Sequence, residues 1–457
     1  MPARRRSKKR PGAGRVRMPL ATCGHPMILR DPVHGVVAFE GTNGRVLPRL
    51  IDTSEMQRLR RVRALGVASM AFPGAEHSRF AHAIGAAQVM ARFLARVEPL
   101  AEAMGAPLSA TDHDDALAAA LLHDLGHGPL SHLFEEVFPG MHAHELWTSA
   151  AILDPDTEVH AALAAVEPEM PSRVERLVHG VHPIPVLARA VSGMLDVDRC
   201  DYLLRDSHMT GTRYGLFDLD WLLRSLALEP HSDGLRLAVE GSKGLPAVEG
   251  FFLARLFMYQ QVYFHKATRA AESVLRSTFR RVADLIADGR VPEGTPAPIA
   301  MLARGERIST VAYLSLDDNS LWQAVDAWSD DRDDILAGLA ARCGRRDLFK
   351  TASLDDIDPE LDASLEKGLE AIVAAHGFNP RYFCALDVAD VVPFEAPRTP
   401  DEGLHVVHAH RPAQPLEHAS FIIARIADTS FVRRRLVFPA AVRSAVTEML
   451  EAQRPRQ

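Results

Sequence analysis

The segment LLHDLGHGPLSHLFEE places His123, Asp124, His127 and His132 within one short run, where an apolar helical stretch ends. His123 and Asp124 are neighbours, so on a helix their side chains leave the axis roughly 100° apart. That divergence suits a cation lying beyond the helix end, approached by one imidazole and one carboxylate. The stretch Ala116 to Leu122 just before them holds only Ala and Leu, so the pair emerges from buried surface. Ionised groups there are costly without a partner, and a metal ion supplies one. Two further ligands of suitable type are His82 in RFAHAIGAA, set among small residues, and Asp198 in LDVDRCDYLLRD. Together His82, His123, Asp124 and Asp198 make a mixed nitrogen and oxygen set. It suits Fe, Mn, Zn, Co or Ni and leaves positions for water. An isolated His-Asp dipeptide is common by chance, and a lone His82 would more often be a core or surface histidine. The run HDLGHGPLSH with RFxH upstream and DVD downstream is far more specific.

The elements needed to hold these residues are mainly helices. ILRDPVHGVVAFE reads as a turn followed by a brief strand. From LIDTSEMQRLRRVRAL the period is helical, with Asp52 or Thr53 as cap. RFAHAIGAAQVMARFLARV is an amphipathic helix. Thr111 or Asp112 is expected to cap DALAAALLHDL, which stops at Gly126 and Gly128-Pro129. Helices continue through SGMLDVDRCDYLLRDSHMTG. A hairpin, GLRLAVEGSKGLPAVEG, and one long helix from residue 251 to about residue 290 follow. Residues 291–375 suggest short helices, and LHVVHAH and ASFIIARI read as strands before a closing helix, AVRSAVTEMLEAQ. The expected fold is mainly α, with a basic tail over 1–20, a catalytic core over 21–290 and a helical and α+β lobe over 291–457.

Composition fits an enzyme of this build. At 457 residues, 47% hydrophobic and 24% charged, the chain can bury a large core and is not a disordered sequence. No apolar run approaches the roughly 20 residues that span a bilayer. The basic N-terminus lacks the apolar stretch of a secretory signal. Cys23, Cys200, Cys343 and Cys384 are scattered, which fits reduced thiols in a cytoplasmic protein. Residues 1–17 carry eight Lys and Arg, so a net charge of -7 leaves about -15 on the rest. An acidic body is a poor platform for nucleic acid. The tail is read first as a solvated arm, with weak nucleic-acid contact as the alternative.

HSRFAHAIG, ALLHDLGHGPLSH, HAHE and LDVDRCDYLLRD resemble the motif series of the HD-domain deoxynucleoside triphosphate triphosphohydrolases. The similarity is to the branch that includes the SAM- and HD-domain-containing enzyme, with the basic tail where a SAM domain would stand. It runs from about Asp31 to about Arg281 and more weakly beyond. The resemblance implies hydrolysis of a dNTP at the α-phosphorus to deoxynucleoside and inorganic triphosphate. It assigns His82, His123, Asp124 and Asp198 to the metal, and His127, His132, Glu135, His144 and Glu145 to catalysis around the α-phosphate. A metal-activated water would attack phosphorus, and the 5'-oxygen needs a proton, for which His132 is the expected donor. Glu135, one helical turn on, would orient it. Arg79, Arg199, Arg255 and Lys266 would cradle the triphosphate. Tyr202, Asp206, Tyr263 and Leu65 would contact sugar and base. Mg or Mn would accompany the nucleotide, and the chain would be a homo-oligomer, dimer or tetramer.

The sequence departs from the family at Ala64 and Phe264, where the family has Gln. Asp52, Gln57 and Arg60 match its guanine-nucleotide regulatory site. Met27, Trp221 and Gln261, however, replace cations of that region. Those three residues read either as an altered regulatory site or as a cap and a solvated helix face, and strict GTP-dependent assembly is not expected. Two competing functions remain: an HD-type phosphodiesterase or nucleotidase acting on another nucleotide, and a nucleic-acid-binding regulator with the same fold.

Overall fold

The computed structural model describes residues 26–138, 141–397 and 403–454, with the side chains of His132 and Ser242 outside that description. The basic tail over 1–20, and Cys23, lie outside the described residues. The fold is mainly α, as expected, and no described helix is long and apolar enough to cross a membrane.

Three helices form the frame of the core. The first, Arg79–Ala103, is capped by Ser78, which accepts from the Ala81 amide. It buries Ala83, Ala86, Ala87, Met90, Leu94 and Val97. The second, Ala110–Leu122, is capped by Ser109, two to three residues earlier than the expected Thr111 or Asp112. Ser109 and Asp112 exchange hydrogen bonds in a capping box, an arrangement worth about 1 kcal/mol. The third, Val197–Thr210, is capped by Asp196 and ends on Gly211, whose φ of 74° only glycine adopts without strain. Both the second and third helices pack against the first.

Several local readings are corrected. ILRDPVHGVVAFE is a complete hairpin, Met27–Asp31 paired antiparallel with Gly35–Phe39. The run around LIDTSEMQRLRRVRAL is broken into Leu47–Ile51, Ser54–Arg58 and a 3-10 turn, Leu59–Arg61. No side chain of Thr53 caps it. The Ser54 amide donates instead to Glu158 Oε2 at 2.7 Å, and Glu55 Oε1 accepts from the Glu158 amide at 2.9 Å. The second hairpin is formed by Leu226–His231 and Gly234–Glu240, so GSKGLPAVEG belongs to the next helix, Gly241–Met258. The single long helix is two. A π-helical turn, Tyr259–Tyr263, ends the first, and His265 caps the second, Lys266–Ala287.

ASFIIARI is helical over Phe421–Ile426: Ser420 caps it, and Ile423 is buried while Phe421 faces solvent. The strand follows it, Phe431–Phe438, the centre of a three-stranded sheet with Lys350–Ser353 and Ala385–Val391. LHVVHAH does supply a strand, His405–His408, which runs parallel to Gly234–Glu240. Residues after 403 therefore share a sheet with residues before 290. Arg58, fully buried, adds a second tie by donating to the carbonyls of Leu316 and His127 at 2.7 and 2.6 Å.

Candidate active site

The end of Ala110–Leu122 delivers His123 and Asp124 to a point faced by His82 from the first helix and Asp198 from the third. Their tautomers follow from their partners. The Nδ1 of His123 lies 2.9 Å from the Ala120 carbonyl, which can only accept. The Nδ1 of His82 lies 2.8 Å from Asp201 Oδ2, a carboxylate kept ionised by Arg205. Both Nδ1 atoms are thus donors, and both Nε2 lone pairs turn inward, 3.3 Å apart. Asp198 Oδ1 sits 3.1 and 3.4 Å from these nitrogens. Asp124 approaches the same two atoms at 3.7 and 3.5 Å.

Acceptors facing acceptors need a cation between them. Ligand atoms 2.0–2.2 Å from a tetrahedral metal lie roughly 3.3–3.6 Å from one another, so the spacing fits. The electrostatics express the same demand. Burial disfavours a charged His82, yet Asp198 and Asp201 outweigh it and lift its pKa to about 10. Asp198 is held well below the usual carboxylate range: burial opposes this, but His123 and His82 prevail. Asp124 is likewise depressed against burial, by Arg79, His123 and His127.

Behind Asp124 lies a second group. His127 Nε2 is 3.3 Å from Asp124 Oδ1, and the rings of His127 and His144 stack with centroids 3.7 Å apart and planes 14° from parallel. Stacked rings cannot both aim an in-plane lone pair at one ion, so this group suits proton handling better than metal binding. Glu135 reaches His144 Nδ1 at 3.2 Å and His127 Nδ1 at 3.5 Å. Burial, then the charge of Arg79, pushes the His127 pKa down to about 4, leaving the ring neutral. Glu145 is half-exposed and touches only the edge of the group, 3.4 Å from His144. The His132 side chain lies outside the described residues.

A cavity of about 430 Å³ opens from these clusters. His82, Asp124, Asp198, His127, His144 and Arg79 line it together with Leu65, Tyr202, Asp206 and Tyr263, and the Tyr202 ring lies 6.5 Å from that of His82. Asp206 is held on both oxygens, by His77 Nε2 at 2.9 Å and the Tyr263 hydroxyl at 2.7 Å. Arg79 pairs with Asp124 and donates to Ser131 Oγ at 2.9 Å.

The expected cradle is only partly assembled. Arg199 turns back onto its own helix cap, pairing with Asp196 and donating to the Gly193 carbonyl at 2.6 Å. Arg255 donates to the Pro393 carbonyl at 2.7 Å, and Lys266 is exposed at the start of its helix. None of these three borders the cavity, whereas Arg269 and Arg276 do. These two lie seven residues apart on Lys266–Ala287, hence on one face. They pair with Asp387 and Glu136. The sequence reading missed them, along with His77, Thr268 and Glu272 on or behind the same wall. For His77 the signal was present, since it opens the quoted HSRF motif. Asp52 is exposed, while Gln57 donates to the Ile51 carbonyl at 2.8 Å and accepts from Arg60 at 2.8 Å. Arg60 also lies over the Phe80 ring.

Comparison with known proteins agrees with this geometry. Residues 79–194 match the model of the HD domain, and residues 217–291 match that of the HD associated region. YwfO of Bacillus subtilis, an uncharacterized protein, is 33% identical over 418 residues, 90% of this chain and 92% of its own length. The human deoxynucleoside triphosphate triphosphohydrolase SAMHD1 is 27% identical over 292 residues, 57% of this chain and 45% of its length. The crystal structure of a phosphohydrolase from Bacteroides thetaiotaomicron superposes with a TM-score of 0.72 at 26% identity. The match covers 91% of this chain and all of that one. The chain belongs to the HD-domain phosphohydrolases, in one family with YwfO, and is similar at greater distance to the SAMHD1 proteins.

Proposed function

We propose that this protein is a metal-dependent dNTP triphosphohydrolase that cleaves at the α-phosphorus to give a deoxynucleoside and inorganic triphosphate. The observation carrying this reading is one cavity lined by His82, Asp124 and Asp198, with His123 Nε2 beside them, and also by Tyr202, Asp206 and Tyr263. A phosphate near the ligands would leave the sugar within reach of the Asp206 carboxylate, which can accept from a 3'-hydroxyl. When bound, a divalent transition metal would lower the pKa of a coordinated water and so provide the nucleophile. Arg79 would neutralise charge on the phosphoryl oxygens while it holds Asp124 in place. Glu135 would orient His144, and His132 would pass a proton to the departing 5'-oxygen. Neutral His127 would accept rather than donate. A dimer or tetramer, with Mg or Mn on the substrate triphosphate, belongs to the same reading.

A specific observation favours a second reading. Only Arg79 of the four expected phosphate cations borders the cavity, and Arg269 and Arg276 already face acids. A nucleotidase or phosphodiesterase acting on fewer phosphates would need no more than that. Chromatography of the products from each dNTP with Mn²⁺ or Mg²⁺ decides. Deoxynucleoside plus triphosphate supports the first reading. Orthophosphate, pyrophosphate or no turnover of any dNTP rejects it.

A further inference from the structure

The imidazole of His82 is oriented from behind by Asp201, which is completely buried. Asp201 collects four donors: His82 Nδ1 at 2.8 Å, His34 Nε2 at 2.6 Å, and Arg205 Nε and Nη2 at 2.8 and 2.9 Å. Arg205, also completely buried, turns its third nitrogen to Asp31 Oδ2 at 2.7 Å. The other oxygen of Asp31 accepts from the amides of Val33 and His34, both at 2.9 Å. Asp31 and His34 are the ends of the turn in the N-terminal hairpin. The first helix makes room for this cluster at Gly85, where a Cβ would stand 1.9 Å from Asp201 Oδ1 and 2.3 Å from Arg205 Nη2. The network thus runs unbroken from the hairpin turn to a metal-facing imidazole. The hairpin also lies upstream of residue 79, where the match to the HD domain begins.

We infer that the N-terminal hairpin is a metal-retention element, with His34 and Asp31 acting as positioning residues for His82 through Asp201 and Arg205. Two effects follow. Asp201 fixes His82 with its proton on Nδ1, the only tautomer that offers Nε2 to a metal. Arg205 neutralises Asp201 and His34 donates to it, so that its carboxylate stays behind the imidazole and does not itself move toward the ion. Partners of this kind contribute roughly tenfold to a hundredfold in metal affinity. The inference rests on the reading of His82, His123, Asp124 and Asp198 as a metal site.

The test measures Mn²⁺ affinity of the full chain, stripped of metal, by competition with a chromophoric chelator. Thermal unfolding of the metal-free protein is followed in parallel. His34→Ala is expected to weaken Mn²⁺ binding about tenfold or more, and His34→Gln, which keeps a donor toward Asp201, to recover part of the loss. Asp31→Asn, at the far end of the network, is expected to weaken binding by a smaller factor. Val36→Thr, an exposed change on the same hairpin, is expected to leave affinity at the parent value. Parent-like Mn²⁺ affinity in folded His34→Ala and Asp31→Asn proteins overturns the inference. So does a loss that Val36→Thr shares, since it then reflects hairpin stability alone. If the parent chain, like a His82→Ala control, binds no divalent ion, it is the metal site itself that fails.

Discussion

The phenol of Tyr263 donates to Oδ2 of Asp206 across 2.7 Å, joining the π-helical turn to the third core helix at the wall of the cavity. Tyr259 and Phe264 pack around the same turn, and Phe431 of the C-terminal sheet stacks on Phe264. The C-terminal strands thereby pack against the turn that carries a residue of the cavity wall. Removing the hydroxyl in Tyr263→Phe leaves a buried carboxylate oxygen without its donor, a cost of about 1–3 kcal/mol. The expected result is a fall of about 5- to 150-fold in kcat/KM for dNTPs. Metal content should not change. Steady-state kinetics with metal analysis checks it, and an unchanged kcat/KM rejects a role for Tyr263 at the sugar.

Asp198 offers one carboxylate oxygen closer to both inward nitrogens than Asp124 does, at 3.1 and 3.4 Å. Asp198→Ala should therefore abolish both metal retention and hydrolysis. Elemental analysis of the purified variant reads the first and product chromatography the second. Retention of a stoichiometric metal by this variant would remove Asp198 from the ligand set.

Arg58 links the loop after the second helix to the segment following Tyr313 through buried carbonyls. Arg58→Met keeps the length of the side chain but leaves at least two acceptors unmet. Each costs about 1–3 kcal/mol, so a loss of several kcal/mol is expected. Urea unfolding of the variant measures it, with the midpoint shifted well below the parent's.

Asp333 caps the helix Asp334–Arg345 by accepting from the Leu336 amide at 2.9 Å, and it pairs with Arg281. The Arg281 hydrogen bond is the main reason that its carboxyl is held below the ordinary value. A depressed carboxylate contributes stability above its unfolded pKa of about 3.9 and loses it as pH falls through the lower folded value. Asp333→Ala should thus cost about 1–2 kcal/mol at neutral pH. The gap to the parent should narrow as pH falls below about 4. Urea titrations across that range test this, and a gap independent of pH would assign the whole effect to the cap's geometry.

What could be read from the sequence was the chemistry carried by local spacing. His123 and Asp124 are adjacent at the end of an Ala and Leu helix, and neither residue type belongs on buried surface without a counterpart. His82 and Asp198 stood in motifs equally out of keeping with plain core helices. All four meet in the structure. Periodicity likewise gave the helical character of the core, because one apolar stripe per helix is enough to show it.

Orientation was decided elsewhere. Arg199 and Arg269 look alike as cations on helices near the site. Arg199, three residues from Asp196, is drawn back to its own cap, whereas Arg269 is swung to the cavity by the break at Phe264 and His265. That break depends on aromatic packing against Phe431, more than 160 residues away in the chain. The partner of His82 is a carboxylate held by His34, which lies 167 residues from Asp201. A linear pattern records which groups can do chemistry. Where their side chains point follows from burial and charge pairing between distant segments, and only the tertiary structure brings those segments together.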